Sequence, residues 1–116
     1  MRIVHQTGYA TTERADAAIA SDETTYRNTW AQSFGSGDVP EIDFSTETAV
    51  FLFGGMRSTG GYSIEVRGVS VEGTTLVVDG GVQGPPSGSM TTQALTYPAA
   101  VLAVKNRDIR SVRWTP

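Results

Sequence analysis

The stretch most suggestive of chemistry is the glycine-rich segment 54–61, which joins two apolar segments. Gly55 and Gly60 have the G-x-x-x-x-G spacing of a phosphate-binding loop. Such a loop continues with Lys and Ser or Thr, which contact the phosphates and the magnesium ion, whereas Gly61 and Tyr62 follow here. A strand is predicted next, so no helix N-terminus would face an anion. A turn that needs glycine at positive φ is the simpler interpretation, and a loop that also binds something stays open.

Histidine and carboxylate residues offer a second kind of chemistry. A Ser-His-Asp triad would have to use His5, the only histidine, and no nucleophile motif accompanies it. Acids cluster in one predicted loop, at Asp38, Glu41, Asp43 and Glu47. Loop carboxylates can bind calcium, but this spacing matches no EF-hand, and Asp43 is placed to form an Asx-turn. We therefore predict no catalytic residue, no metal site and no cofactor.

Protein binding is the remaining kind of chemistry, because aromatic and arginine side chains are enriched at protein interfaces. Arg57 would supply a charge-assisted contact and Tyr62 an amphipathic anchor. The predicted protein-binding residues, called the loop face below, are Arg57, Ser58, Thr59, Tyr62, Pro85 and Pro86.

Composition sets limits on these readings. The chain has 116 residues, which predicts one domain over residues 1–116. It has no cysteine, so disulfides, thiolate zinc sites and cysteine nucleophiles are excluded. The formal charge of −3 and the absence of a basic run do not favour nucleic-acid binding. No apolar stretch is long enough for a transmembrane helix, and the first residues do not have the pattern of a signal peptide.

Short apolar segments separated by glycine, proline and turn residues predict six to eight strands. The segments are 2–9, 14–20, 48–53, 62–71, 76–78, 90–97, 101–104 and 109–114. The continuous apolarity of 48–53 predicts a central strand covered on both faces, and we expect 62–66 to return beside it as an interior hairpin. Gly68 suggests a bulge, whereas Gly80 and Gly81 are expected to end the strand before them.

One helix is predicted over residues 23–33, with Ser21 or Asp22 as its N-cap and Gly35 beyond its end. Its apolar face has the i, i+4, i+8 spacing of Tyr26, Trp30 and Phe34. So short a helix must dock on a sheet to be stable. The pattern as a whole predicts a mainly β fold, an antiparallel sandwich or barrel-like domain with one short helix packed on it.

An ordered set of short motifs runs from Ile19 to Lys105. They are Trp30 near the helix end, Pro40-x-x-Asp43-Phe44-Ser45, Thr59-Gly60-Gly61-Tyr62-Ser63-Ile64, Pro85-Pro86-Ser87-Gly88, and Thr96-Tyr97-Pro98 opening an apolar strand. On these motifs the chain resembles the PrcB C-terminal-like family of small bacterial domains. The resemblance implies an accessory role beside a secreted protease complex, no assigned activity, and frequent export of the members.

A weaker similarity links Ser58-Thr59-Gly60-Gly61-Tyr62 to the binding loop of chagasin-type protease inhibitors. The Asn-Pro of that loop is replaced by Met56-Arg57, and the Arg-Pro-Trp loop is absent. We predict a non-enzymatic binding or accessory module that associates with or stabilises a protease or another protein. A protease inhibitor, a small-ligand domain or enzyme, and a homo-oligomer formed through an open edge strand remain alternatives.

Overall fold

The structure is a computed structural model that describes residues 1–35, 37–86, 88, 93–105 and 108–114. These residues form seven strands and one helix. The elements are β1 Arg2–Thr7, β2 Ala15–Ala20, α1 Glu23–Phe34, β3 Thr48–Gly54, β4 Ser63–Glu72, β5 Thr75–Gln83, β6 Ala99–Val104 and β7 Ser111–Arg113.

The strands form two sheets. The first has the order β1-β6-β3-β2 with every pair antiparallel, and the second has the order β4-β5-β7. β5 and β7 run parallel, which departs from the all-antiparallel prediction. The described residues contain no closed barrel, so the mainly β prediction is confirmed in its sandwich form with one helix. No helix in the described ranges is both long and apolar enough to cross a membrane.

β3 is the centre of the molecule, as its apolar sequence predicted. Each of its residues is buried, and both of its edges are paired, to β2 and to β6. Phe51 and Phe53 pack with α1 on one face of the sheet, whereas Val50 and Leu52 pack with the second sheet on the other. Successive side chains of a strand point to opposite faces, so a strand between two layers must be apolar throughout.

The predicted interior hairpin is wrong. β4 belongs to the second sheet and pairs with β5, while the loop 55–62 carries the chain from one sheet to the other. Both edges of β3 are already taken, so β4 has no edge of it to join. The burial of β4 alternates, as expected for an outer strand that has one face in solvent.

α1 forms as its sequence predicted. The Asp22 side chain caps its first turn by accepting a hydrogen bond from the Thr25 N–H at 2.7 Å, and Gly35 ends it with φ of 79°. Tyr26 and Trp30 are buried against the first sheet, and the Tyr26 hydroxyl donates to the carbonyl of Pro40 at 2.7 Å. The aromatic face therefore fixes the helix on the sheet.

The glycines of β5 do not end the strand, which was the second wrong prediction. β5 continues through them to Gln83. A Cβ atom on Gly80 would overlap the carbonyl oxygen of Glu65 in β4, so glycine permits a close approach between the strands. The register of this pair shifts between Val66 and Gly68, which confirms the predicted bulge.

Parts of several sequence predictions lie outside the described residues. These parts are residues 90–92 of the extended segment, Ser87 of the proline loop, and Asn106 and Arg107 before the last strand.

Candidate functional site

The loop 55–62 is held in place by a short segment that precedes β6. Arg57 and Thr96 exchange two backbone hydrogen bonds, at 2.8 and 2.9 Å. The buried Thr96 hydroxyl donates a third, to the carbonyl of Thr59 at 2.6 Å. These three hydrogen bonds, all made by Thr96, fix the middle of the loop relative to the first sheet.

Arg57 is half-buried and partly structural. Its Nη2 donates to the carbonyl of Gly54 at 2.9 Å, and its Cζ lies 5.4 Å from the centroid of the Tyr62 ring. Its Nε is buried and has no hydrogen-bond partner among the described residues. The guanidinium thus stacks on the predicted aromatic anchor and supports the loop from within.

The proline segment after β5 meets the same loop. A Cβ atom on Gly61 would lie 2.7 Å from Pro85 Cβ, and one on Gly84 would lie 3.3 Å from the Tyr62 ring. Ser58 and Pro86 are exposed, whereas Thr59 is half-buried. The geometry brings Arg57, Tyr62 and Pro85 together, as the loop-face prediction requires. Whether these residues bind a protein remains a prediction.

Exposed apolar side chains lie beside the loop face. Met56 is 52% exposed and precedes Arg57, and Leu95 is 55% exposed and precedes Thr96. Tyr9, which is 70% exposed, pairs with Tyr97 in an isolated bridge. Sequence reasoning missed Leu95 and Tyr9, because their position depends on pairing between distant segments that no local pattern reveals.

His5 lies in an aromatic environment. Its ring centroid is 4.7 Å from that of Trp30 and 4.9 Å from that of Phe34. Partial burial lowers the pKa of His5 below its ordinary value of 6.5. His5, Tyr9, Trp30, Phe34 and Asp38 all line one cavity of about 340 Å³, called the aromatic cleft below.

The predicted acidic cluster is dispersed. Asp38 lines the aromatic cleft, Glu41 is exposed, and Asp43 forms the predicted Asx-turn by accepting the Ser45 N–H at 3.0 Å. Glu47 is buried, and its Oε1 accepts hydrogen bonds from Arg2 at 3.1 Å and from the backbone N–H of Asp43 at 3.2 Å. Within the described ranges, no three His or acidic residues are grouped to hold a metal ion.

The pKa of Glu47 reflects two opposed effects. Burial, the largest of them, raises the pKa, while the hydrogen bonds and the charge of Arg2 lower it. The lowering effects together are stronger, so the pKa of Glu47 lies below its ordinary value. Glu47 is therefore an ionised structural residue that holds the 41–47 loop against β1.

A cavity of about 510 Å³ lies between the edge strands β2 and β7. Its lining includes Asp16, Arg110 and Trp114, and the Trp114 indole N–H donates to the carbonyl of Asp16 at 3.2 Å. None of the acids of the predicted cluster lines it, and neither does His5. His5 and the predicted acids therefore do not converge on this cavity.

Comparison with known protein families shows to which family the chain belongs. A family model described as PrcB C-terminal matches residues 48–105, half of the chain. The chain belongs to the PrcB C-terminal family. The predicted resemblance is thus confirmed, and the PrcB C-terminal match spans β3 to β6 and contains every residue of the loop face. No curated protein matches the chain, and no solved structure does.

The PrcB C-terminal family is not a known catalytic domain. Its model does not reach β1, β2 or α1, so the aromatic cleft is built largely from residues outside the matched region. The weaker likeness to chagasin-type inhibitors remains a prediction.

Proposed function

We propose that residues 1–116 act as one domain, a non-enzymatic accessory module that binds another protein through the loop face. The observation that carries this proposal is the fixed conformation of the loop 55–62. A partner that binds a preformed loop does not have to meet the entropic cost of ordering it. Pairing of β1 with β6 supports a single unit, because it joins the segment before the family match to the last strand within it.

The chemistry of the loop face suits a protein partner. Tyr62 and Arg57 are residue types that often dominate binding energy, and Met56 and Leu95 add exposed apolar area beside them. Pro86 adds an exposed side chain that has little conformational freedom to lose on binding. Membership of the PrcB C-terminal family supports a component of a protease complex as the partner.

Site-specific cross-linking tests this proposal. A photoreactive amino acid is placed at Ser58, which is exposed in the loop face, and in a second protein at Ser70, which is exposed on β4. Both proteins are irradiated in an extract of the native host, and the cross-linked products are identified by mass spectrometry. We expect a defined product from position 58 that is absent from position 70.

The captured protein is then produced and titrated against the domain by calorimetry. Ser58→Glu should weaken binding at least about tenfold, because it places a new charge that must lose its water in the proposed interface, while Ser70→Glu should leave it unchanged. Equal affinities for both variants would place the interface elsewhere. Products that contain only a second copy of the chain would replace the accessory role with self-association.

A further inference from the structure

The aromatic cleft and the loop face have no residue in common. It lies on the side of the first sheet that α1 covers, between β1, the end of α1 and residues 37–38. Its volume of about 340 Å³ lies within the range of small-ligand sites. An inference about this cleft is therefore independent of the proposed function.

Aromatic rings dominate its lining. The ring centroids of His5, Trp30 and Phe34 lie 4.7 to 4.9 Å from one another, so the three side chains form one packed wall. Tyr9 is 70% exposed and also lines the cleft. The faces of such rings carry negative potential that attracts ammonium and guanidinium groups.

Charge points to the same class of ligand. Among the described residues of the lining, Asp38 is the only acid, and it forms no ion pair with any of the residues described. The lowered pKa of His5 keeps its imidazole neutral at neutral pH. The lining thus combines aromatic rings with one negative charge, the combination by which proteins recognise organic cations.

The indole N–H of Trp30 indicates that the ligand also has a hydrogen-bond acceptor. Trp30 lines the cleft, and its indole N–H meets no acceptor in the part of the chain that the structure describes. Arg57 Nε is the one fully buried side-chain donor without a partner among the described residues, so the Trp30 indole nitrogen is reached by solvent, and a carbonyl oxygen of a ligand can replace the water there. A lysine or arginine residue in a peptide has both a cationic side chain and a carbonyl oxygen.

We propose that the aromatic cleft binds a lysine or arginine residue of another protein, with the cationic group beside Asp38 and a carbonyl oxygen on the Trp30 indole N–H. The aliphatic part of the side chain packs against Tyr9 and Phe34. The cleft is a recognition pocket for one basic residue and needs no conformational change in the sheet.

Nuclear magnetic resonance tests the proposal with defined probes on the full chain. The probes are a neutral-ended tripeptide Gly-Lys-Gly, its norleucine counterpart, and tetramethylammonium, and the readout is the indole N–H signals of both tryptophans. We expect Gly-Lys-Gly to shift the Trp30 signal and leave the Trp114 signal in place, because the Trp114 N–H is already bonded to Asp16. Tetramethylammonium should bind more weakly, since it has no carbonyl oxygen.

Matched variants test the role of the charge. Asp38→Asn should weaken Gly-Lys-Gly binding about two- to fivefold, the range for one exposed ion pair. Glu41→Gln is the control, because Glu41 is an exposed acid of the same segment that does not line the cleft. Both positions are exposed, so the fold should tolerate both changes, which amide spectra will check.

Three results would overturn the inference. They are an unshifted Trp30 signal at all lysine concentrations, equal binding of the norleucine and lysine peptides, and unchanged affinity in Asp38→Asn. If tetramethylammonium binds as tightly as the lysine peptide, the carbonyl contact is wrong and a small organic cation replaces the peptide as the ligand.

Discussion

Gly61 and Pro85 approach so closely that a Cβ atom on Gly61 would lie 2.7 Å from Pro85 Cβ. Gly61 also has φ of 88°, a conformation that costs other residues energy. Together with the bonds from Thr96, this contact joins two connections that are distant in the sequence into one surface. The loop face therefore depends on a residue that has no side chain.

Gly61→Val should lower the free energy of unfolding by at least about 2 kcal/mol, because it adds a strained φ and an overlap with Pro85. Urea unfolding followed by circular dichroism measures the loss. Gly68→Ala is the control, since the space around Gly68 is open and its φ is not in the positive range. Wild-type stability in Gly61→Val would contradict the conformation assigned to the loop.

Glu47→Ala should destabilise the protein by about 1–3 kcal/mol, because it removes a buried carboxylate that accepts hydrogen bonds from the Asp43 N–H and from Arg2. Thermal or urea unfolding at neutral pH measures the change. Glu41→Ala removes an exposed acid from the same loop and should have little effect. Similar losses in both variants would mean that burial of Glu47 does not matter.

The stability of the protein should depend on pH through His5. Its folded pKa lies below 6.5, so the unfolded chain takes up the proton first as the pH falls, and stability decreases from about pH 6.5 down through the folded pKa. His5→Phe keeps a ring against Trp30 and Phe34 and removes the titration. The difference between the two stability curves, measured by urea unfolding from pH 5 to 8, isolates this effect.

A direct titration provides the check. The imidazole signals of His5, the only histidine, give its folded pKa without assignment of other residues. A value at or above 6.5 would contradict the role of burial: at 6.5 the wild-type and His5→Phe curves would run parallel, and above 6.5 the wild-type protein would gain stability relative to His5→Phe as the pH falls.

Local sequence patterns predicted most of the strands and the helix, because the spacing of apolar residues in a segment depends on which of its faces are buried. The unbroken apolarity of Thr48–Phe53 predicted a strand buried on both faces, and the spacing of Tyr26, Trp30 and Phe34 predicted the docked helix. Both predictions depend only on which faces of the strand or helix are buried. They hold regardless of which other elements cover those faces.

The pairing of strands could not be predicted in the same way. β3 pairs with β6, which lies about half the chain away in sequence. The local pattern favours a short hairpin with the next strand instead. The local sequence predicts a strand end at Gly80. Glycine is required there instead by the close approach of the Glu65 carbonyl on the neighbouring strand, which is distant in the sequence. The aromatic cleft escaped prediction because it joins His5 to residues of α1 and the loop after it.

β6 lies between β1 and β3, although it is the sixth strand along the chain. During synthesis, the edges of β1 and β3 that will receive β6 must therefore wait until residues 99–104 have left the ribosome. Long-range pairing of this kind slows folding, and an unsatisfied apolar strand is prone to intermolecular association while it waits. We expect this domain to refold more slowly than most domains of its size, and its refolding yield to fall as the protein concentration rises.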